Sequence, residues 1–116
     1  MPKFSERSLK RLASCDPRLQ RIAHELIKEM DVVVLEGHRG QKAQNDAFRR
    51  GTSKLRWPNS KHNKKPSRAM DCAPYPVNWK ARARFVEMRD RMKKIAARLG
   101  IKVRFISWDL PHIELV

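Results

Sequence analysis

Apolar residues recur at helical spacing in two long segments of the chain. The first follows Asp16-Pro17, in which aspartate suits the N-cap and proline suits the first position of a helix. Its apolar positions fall on one face: Leu19, Ile22, Ala23, Leu26, Ile27 and Met30. The second segment predicts the longest helix, residues 79–99, with Asn78 as its cap and Gly100 as its stop. Its apolar stripe comprises Phe85, Met88, Met92, Ile95, Ala96 and Leu99, so both helices are predicted to bury one face.

Shorter segments predict two further helices and four strands. Residues 5–13 predict a short basic helix, and residues 41–50 predict another, which Gly51 ends. Strand character occurs at residues 32–35, 68–73, 103–106 and 112–115. The order helix, helix, strand, helix, loop, strand, helix, strand, strand predicts an α+β domain whose small antiparallel or mixed sheet is covered by helices. The loop at residues 51–67 is long for a compact domain, and such loops usually have a function.

The composition indicates one strongly basic globular domain. Of the 116 residues, 41% are hydrophobic, which argues against disorder although 34% are charged. With 27 basic and 12 acidic residues, the net charge is +15. Such a charge implies a polyanionic partner or environment, such as nucleic acid, an anionic envelope or a membrane surface. Cys15 and Cys72 lack a framework spacing and are interpreted as reduced thiols. The first residues contain no apolar segment, so we expect no signal peptide.

Two pairs of a histidine and an aspartate lie beside predicted strands. His62 and Asp71 flank the start of one strand, and Asp109 and His112 flank the start of another. Alternate side chains of a strand share a face, so Asp71 can face a cleft while its neighbours enter the core. Two imidazoles and one carboxylate, with a fourth position open to water, are typical of a catalytic zinc site. Asp109 would then be a spare carboxylate where a general base is needed.

Each of these residues also has a commonplace interpretation. A lone histidine near a C-terminus is more often structural than a ligand, Asp71 could cap a turn, and the basic loop could be an ordinary solvated surface. The two pairs taken together favour a site, although spacing alone is a moderate signal. His24 is interpreted as structural and His38 as a neighbour of Arg39.

Three segments carry a resemblance to a known group of enzymes. They are Glu36-Gly-His-Arg39-Gly-Gln-Lys-Ala-Gln44, the Ser-x-His to Ala-x-Asp region that ends at Asp71, and Asp109-Leu-Pro-His112. They resemble the zinc peptidases of the D-Ala-D-Ala carboxypeptidase and VanY-like group, with phage L-alanyl-D-glutamate peptidase endolysins as the closest likeness. The resemblance extends from about residue 32 to the end of the chain. It implies a hedgehog/D-Ala-D-Ala-peptidase-like fold and one catalytic domain over residues 1–116, without a separate cell-wall-binding domain.

The resemblance also implies a role for each site residue. The zinc ligands would be His62, Asp71 and His112. Asp109 would be the catalytic acid and base, and Arg39 would hold the substrate and stabilise the oxyanion. Gln44 and Ser60 would support or contact the peptide. The alternative for Arg39 is a surface salt bridge to Glu36, and the alternative for Gln44 is an exposed helix residue.

The chain departs from the family pattern in two places. The segment between His62 and Asp71 is longer than in the short pattern Ser-x-His-x-x-Gly-x-Ala-x-Asp. Before the final motif, the chain has only Arg104-Phe-Ile-Ser-Trp108, where relatives usually carry a Trp-Gly-Gly-Asp-Trp-like segment and a loop. We therefore expect one wall of the substrate cleft to be trimmed, and the identity of the cleaved bond stays open.

The resulting hypothesis is a zinc-dependent peptidoglycan peptidase of the phage endolysin type, which hydrolyses the L-Ala–D-Glu bond of stem peptides. The basic charge would hold a monomeric enzyme on an anionic envelope and predicts salt-sensitive lysis. We expect synthesis in the host cytoplasm and action in the periplasm or cell wall after a holin-like partner opens the inner membrane.

Three alternatives remain at this point. A D,D-carboxypeptidase acting on the same stem peptide would use the same residues. A basic nucleic-acid-binding protein or metal-dependent nuclease would explain the charge through phosphate contacts, but no zinc-finger, helix-turn-helix or RNA-binding signature is present and aromatic residues are only 7%. A signalling module without catalysis is disfavoured because all four core site residues are present.

Overall fold

A computed structural model describes residues 2–116 as an α+β arrangement in the predicted order of helices and strands. Its elements are α1 (Glu6–Ala13), α2 (Pro17–Leu26), β1 (Val32–Glu36), α3 (Gln41–Arg50), a 3-10 helix (Lys61–Asn63), β2 (Ala69–Pro74), α4 (Arg82–Leu99), β3 (Val103–Ile106) and β4 (Asp109–Leu115). This order of helices and strands confirms the α+β prediction. None of the helices formed by residues 2–116 has the length and apolar character needed to cross a bilayer.

The four strands form one sheet in the order β1-β2-β4-β3, and every pairing is antiparallel. Helix α4 packs across β2, β3 and β4 and also against α2, while α1 packs against β1. The strands contribute alternate side chains to the core, namely Val32, Val34, Met70, Cys72, Ile113 and Leu115. This alternation follows from the two-residue period of a strand, and it leaves the intervening side chains on the other face.

Helix α4 begins at Arg82 rather than at residue 79, and its N-cap is Ala81. The predicted cap, Asn78, instead closes a turn, because its side-chain oxygen accepts the backbone N–H two residues later at 3.0 Å. The ring of Trp79 stacks on the ring of Phe85, with centroids 5.6 Å apart. The prediction of Asn78 as the helix cap was wrong, since a local side-chain turn competes with helix formation at that position.

The other boundaries differ by smaller amounts. Helix α2 ends at Leu26, and a turn follows up to residue 30. The predicted loop at residues 51–67 contains the 3-10 helix Lys61–Asn63. Strand β4 begins at Asp109, three residues before its predicted start. Asp109 is therefore part of the sheet rather than of the preceding turn.

The pairing of β1 with β2 shifts register beside the predicted site. Val34 lies opposite Cys72, and regular antiparallel pairing would then place Leu35 opposite Asp71. Instead Glu36 is the partner of Asp71, so Leu35 is an extra residue on β1. Residues directly opposite each other share a face of the sheet. The bulge therefore brings Glu36 beside Asp71.

A second register shift lies in the pairing of β3 with β4. Phe105 pairs with Ile113, and regular pairing would place Ile106 opposite His112, but Ile106 pairs with Asp109. Asp109 and His112 are three positions apart, a spacing that would put the two on opposite faces of a regular strand. The register shift changes the direction of the strand locally, so the side chains of Asp109 and His112 can lie near each other. Bulges next to active sites often reorient side chains in this way.

Gly37 follows β1 and lies against the C-terminal end of α1. A Cβ atom at this position would overlap the Ser14 hydroxyl oxygen and the Arg11 carbonyl oxygen. Ser14 cannot simply turn away, because its hydroxyl donates to the Arg11 carbonyl at 2.6 Å and accepts the His38 backbone N–H at 2.9 Å. The absence of a side chain at Gly37 is thus a packing requirement.

We predict that Gly37→Ala destabilises the protein, since the added methyl group must displace backbone in a close-packed contact. The free energy of unfolding, measured by denaturant titration, should fall by about 1–3 kcal/mol. Gly40→Ala is the matched control, because a Cβ there has no heavy atom within 4 Å, and its cost should stay below about 1 kcal/mol. Equal destabilisation by the two substitutions would contradict this account.

Candidate metal centre and substrate cleft

Asp71 and His112 are brought together by the pairing of β2 with β4, in which they are direct partners. Both lie on the face of the sheet opposite the apolar core. His62 comes from the 3-10 helix, whose start is fixed by a capping box. The Ser60 hydroxyl accepts the His62 backbone N–H at 3.2 Å, and the Asn63 side chain accepts the Ser60 backbone N–H at 3.0 Å. Sheet pairing and a local cap thus bring three predicted ligands to one place.

The three side chains meet through one atom each. Asp71 Oδ1 lies 3.1 Å from His112 Nδ1 and 3.3 Å from His62 Nε2. The two imidazole nitrogens are 3.3 Å apart. Four ligands placed tetrahedrally about 2.0–2.1 Å from one ion are about 3.3 Å from each other. The triangle therefore has the size of one face of such a tetrahedron, and His62, Asp71 and His112 could hold a metal ion.

Hydrogen bonds on the outer side of each imidazole determine which nitrogen faces the centre as an acceptor. His62 Nδ1 lies 2.8 Å from the Gly37 carbonyl oxygen, which can only accept, so this nitrogen carries the proton. His112 Nε2 lies 2.8 Å from Glu114 Oε1 and donates to that carboxylate. In each neutral ring the other nitrogen, His62 Nε2 or His112 Nδ1, then carries a lone pair and can accept. Two nitrogen lone pairs and one carboxylate oxygen converge, an arrangement that a cation stabilises.

The charge states of the cluster agree with this interpretation. Burial opposes ionisation of Asp71, but its interactions with His112 and His62 outweigh burial and lower the pKa of the carboxyl well below its usual range. Burial also opposes the charged form of His112, yet the hydrogen bond to Asp71 leaves the pKa of the imidazole above its ordinary value. An ionised Asp71 thus attracts positive charge to the triangle, from a proton on His112 or from a metal ion.

Arg39 is held beside the triangle by an ion pair with Glu36. Its Nε donates to Glu36 Oε1 at 2.7 Å and one terminal nitrogen donates to Oε2 at 3.2 Å. The same terminal nitrogen lies 3.8 Å from Asp71 Oδ2. The predicted alternative, a salt bridge to Glu36, is therefore present, but the guanidinium is only 11% exposed and faces the cluster. The ion pair aims Arg39 at the site.

Gln44 is fully buried, which excludes the alternative of an exposed helix residue. Its amide oxygen accepts from Arg39 at 2.9 Å, and its amide nitrogen donates to the Ser53 hydroxyl and to the Leu55 carbonyl oxygen. Ser60 is also buried and caps the 3-10 helix. The geometry favours support of the site over direct peptide contact for both residues.

Asp109 lies at the edge of the cluster. Its Oδ2 is 4.0 Å from His112 Nδ1, and its side chain is 28% exposed. Burial raises the pKa of the Asp109 carboxyl, and the negative charge of Asp71 raises it further. A partly accessible carboxyl whose pKa is raised is suited to exchanging protons with a substrate. Asp109 can therefore act as an acid and a base beside the three ligands.

The cluster lies in a cleft of about 810 Å³, lined also by Arg39, Asp109 and residues of the loop that follows α3. Two tryptophans, Trp79 and Trp108, line the cleft while 63% and 52% exposed. Its inner part is thus polar and charged, and its rim offers apolar surface. Such a combination is typical of a site that binds an extended, partly polar ligand.

Sequence reasoning missed the outer partners of the two histidines. Glu114 lies two residues after His112 on the same strand, and this spacing, which puts two side chains on one face, could have suggested the hydrogen bond between them. The buried Glu114 carboxylate is also paired with Arg104 at 2.7 Å and with Lys61 at 3.2 Å. No comparable signal in the sequence indicates the hydrogen bond from His62 to the Gly37 carbonyl oxygen. Every residue has a backbone carbonyl, so the residue type does not show which one accepts.

The remaining two histidines stand apart from the ligand triangle. His24 is exposed on α2, with its ring edge-on to Phe4 at 5.7 Å. The His38 backbone N–H donates to Ser14, and His38 immediately precedes Arg39. Among residues 2–116, one group of three or more histidine, cysteine, aspartate or glutamate side chains has the geometry to hold a metal ion, and it contains neither residue.

Comparison with known proteins relates this site to one family. The family model for phage L-alanyl-D-glutamate peptidase matches residues 1–112. The chain is 34% identical over 115 residues to the L-alanyl-D-glutamate peptidase of Escherichia phage T5, covering 92% of this chain and 82% of that protein. Its fold is similar to the crystal structure of the Serratia marcescens L-Ala D-Glu endopeptidase ChiX. That match has a TM-score of 0.82 at 23% identity and covers 98% of this chain and 90% of ChiX.

These matches confirm the resemblance predicted from the three sequence segments. The family match spans nearly the whole chain, including the cluster of His62, Asp71 and His112 and the adjacent Asp109. The similarity to ChiX independently confirms the fold. The chain belongs to the phage L-alanyl-D-glutamate peptidase family.

Proposed function

We propose that the protein hydrolyses the amide bond between L-Ala and D-Glu in the stem peptides of peptidoglycan, with Zn²⁺ held by His62, Asp71 and His112. The observation that carries the proposal is the triangle of lone-pair donors, 3.1–3.3 Å apart, at the inner end of a substrate-sized cleft. Zinc suits a mixed set of two imidazoles and one carboxylate. Family membership supplies the bond and the substrate class.

Asp109 would move the protons of the reaction. A bound zinc ion supplies Lewis-acid chemistry that acidifies water and polarises a carbonyl group. Asp109 takes a proton as the water oxygen bonds to the L-Ala carbonyl carbon, and a tetrahedral intermediate forms. The carbon–nitrogen bond then breaks, and Asp109 returns the proton to the departing amine of D-Glu. The raised pKa of Asp109 favours the first of these proton transfers, because a carboxylate of higher pKa is a stronger base.

Arg39 would stabilise the oxyanion that develops on the L-Ala carbonyl. A guanidinium has five N–H groups, and three of those of Arg39 are used by Glu36 and Gln44. One N–H on each terminal nitrogen is left for a substrate. Because the ion pair and the buried amide hold the guanidinium in place, little reorganisation is needed when the charge appears. Gln44 and Ser60 would act as supports of Arg39 and His62.

The basic charge would bring the enzyme to its polymeric substrate. A net charge of +15 attracts the protein to anionic wall and envelope surfaces, and added salt should weaken that attraction. We further propose that the protein acts as a monomer on peptidoglycan in the periplasm or cell wall. It would be made in the host cytoplasm and reach the wall after a holin-like partner opens the inner membrane.

We predict chelator-sensitive release of peptide fragments with new D-Glu amino termini from purified peptidoglycan, detected by mass spectrometry. Release of free D-Ala instead would identify a D,D-carboxypeptidase. If folded, zinc-loaded protein released nothing from wall material of several chemotypes, the peptidase proposal would be overturned. Filter binding to random duplex DNA would then test the nucleic-acid alternative.

The substitution His62→Ala should remove one corner of the ligand triangle and with it stable metal binding. We expect the purified variant to lose its zinc on gel filtration and to lack lytic activity, while its circular dichroism stays close to that of the wild type. His24→Ala is the matched control, since His24 is exposed and outside the triangle. Wild-type zinc content and activity in His62→Ala would refute the site.

The substitution Asp109→Asn should separate catalysis from metal binding. We expect kcat to fall by about 10²–10⁴-fold, the usual contribution of a general acid–base, while zinc content is unchanged. Asp90→Asn provides a control on the exposed surface of α4, with the same change of charge and size. If Asp109→Asn retained the wild-type kcat, the proton-transfer role would have to be assigned to another group.

A further inference from the structure

The cations that line the cleft differ in whether they already have an anionic partner. Five basic side chains line it: Arg39, Arg50, Lys54, Lys61 and Arg104. Arg39 is neutralised by Glu36, and Lys61 and Arg104 share the buried carboxylate of Glu114. The salt bridges formed within residues 2–116 include neither Arg50 nor Lys54. Two positive charges in the cleft are therefore available to a ligand.

Lys54 is the better positioned of these two cations. The buried Gln44 amide donates to the Ser53 hydroxyl at 2.9 Å and to the Leu55 carbonyl at 2.6 Å, so the backbone is anchored on both sides of Lys54. The Lys54 ammonium lies 4.5 Å from the centre of the Trp108 ring, a favourable cation–π distance. This contact joins the loop after α3 to the turn between β3 and β4, and both segments line the cleft.

The location of Lys54 relates it to the reacting bond. Trp108 directly precedes Asp109, the proposed acid and base. Gln44 connects the other side of the Lys54 segment to Arg39 by a hydrogen bond of 2.9 Å. Trp108 thus connects Lys54 to Asp109, and Gln44 connects the Lys54 segment to Arg39. These are the two side chains that would act on the substrate. Arg50 has an exposed side chain at the end of α3 and no comparable anchor among the contacts of residues 2–116.

The proposed substrate requires a cation of this kind. A D-Glu residue has two carboxyl groups, and when one of them forms the next amide bond, the other remains as a free carboxylate. That carboxylate belongs to the residue whose nitrogen is released, so it enters the cleft together with the bond to be cleaved. The carboxylates of Asp71, Asp109 and Glu36 already line the cleft, and another anion would be repelled unless a cation faces it.

We propose that Lys54, seated on Trp108, binds the free carboxylate of D-Glu on the amine side of the cleaved bond and makes the enzyme select a carboxylate over a carboxamide there. This inference rests on the proposed function, because it concerns the recognition of the same substrate. The cation–π contact restrains the flexible lysine side chain before the substrate arrives, which lowers the entropy lost on binding.

The test compares two soluble stem peptides that differ only in this group. One contains D-Glu with its free carboxylate, and the other carries a carboxamide at the same position. Since a hydrogen bond to a charged group is among the stronger polar contacts, wild-type kcat/KM should favour the carboxylate peptide by about tenfold or more. Lys54→Met should lose about tenfold on the carboxylate peptide and little on the carboxamide peptide, so that the preference disappears.

Two further variants separate recognition from a purely structural role. Lys54→Arg keeps the charge and the contact with Trp108 and should retain most of the preference. Lys94→Met removes an exposed lysine from α4 that does not line the cleft, and it should leave kcat/KM for both peptides unchanged. Zinc content and circular dichroism of each variant establish that the fold and the metal centre are intact.

The outcomes distinguish this inference from the proposed function. The carboxylate subsite is overturned if wild type hydrolyses both peptides equally, if the preference survives Lys54→Met, or if that variant loses the same factor on both peptides. In each of these cases the peptidase assignment stands, because the wild type cleaves. If folded, zinc-loaded wild type cleaves neither peptide, the proposed function fails and this inference fails with it.

Discussion

The candidate site is built around three electron-rich atoms that would repel one another without a positive charge between them, so the surrounding structure must hold them together. His62 Nε2, His112 Nδ1 and Asp71 Oδ1 lie 3.1–3.3 Å apart. The two imidazoles are held in this orientation from outside, by a backbone carbonyl in one case and by the buried Glu114 in the other. The orienting partners are built into the fold, so the centre is preorganised for a cation. The stability of the surrounding sheet and helices maintains this arrangement.

The sheet satisfies two demands that a regular sheet cannot satisfy together. Its core face requires strict alternation of apolar side chains. The site face requires Glu36 beside Asp71 and Asp109 beside His112, which regular pairing does not allow. One register shift in β1–β2 and another in β3–β4 resolve the conflict. Both shifts lie next to the candidate metal centre, so the irregularity remains local and the core is undisturbed.

Negative and positive side chains occupy different parts of the cleft. The inner carboxylates orient Arg39 and, in the proposed function, would hold a metal ion and exchange protons, whereas the rim presents Lys54, which forms no salt bridge within residues 2–116. The buried amide of Gln44 joins these regions, because its oxygen contacts Arg39 and its nitrogen anchors the segment on either side of Lys54. A single side chain in α3 thus couples the proposed stabilisation of the oxyanion to the proposed recognition of the substrate carboxylate. Replacing it would disturb both functions at once.

The sequence by itself determined the order of the elements, the core stripes of α2 and α4, and the placement of Asp71 and of His112, each opposite the apolar side chains of its own strand. These features follow from periodicity and local capping, which short stretches of chain encode. The motif segments also indicated the ligands and Asp109 through their resemblance to a family. Only the tertiary structure decided the start of α4, the two register shifts, the burial of Gln44 and the partners of the histidines. These depend on pairings and hydrogen bonds between residues distant in sequence, such as His62 with Gly37, and local patterns carry no record of which distant partner the fold will supply.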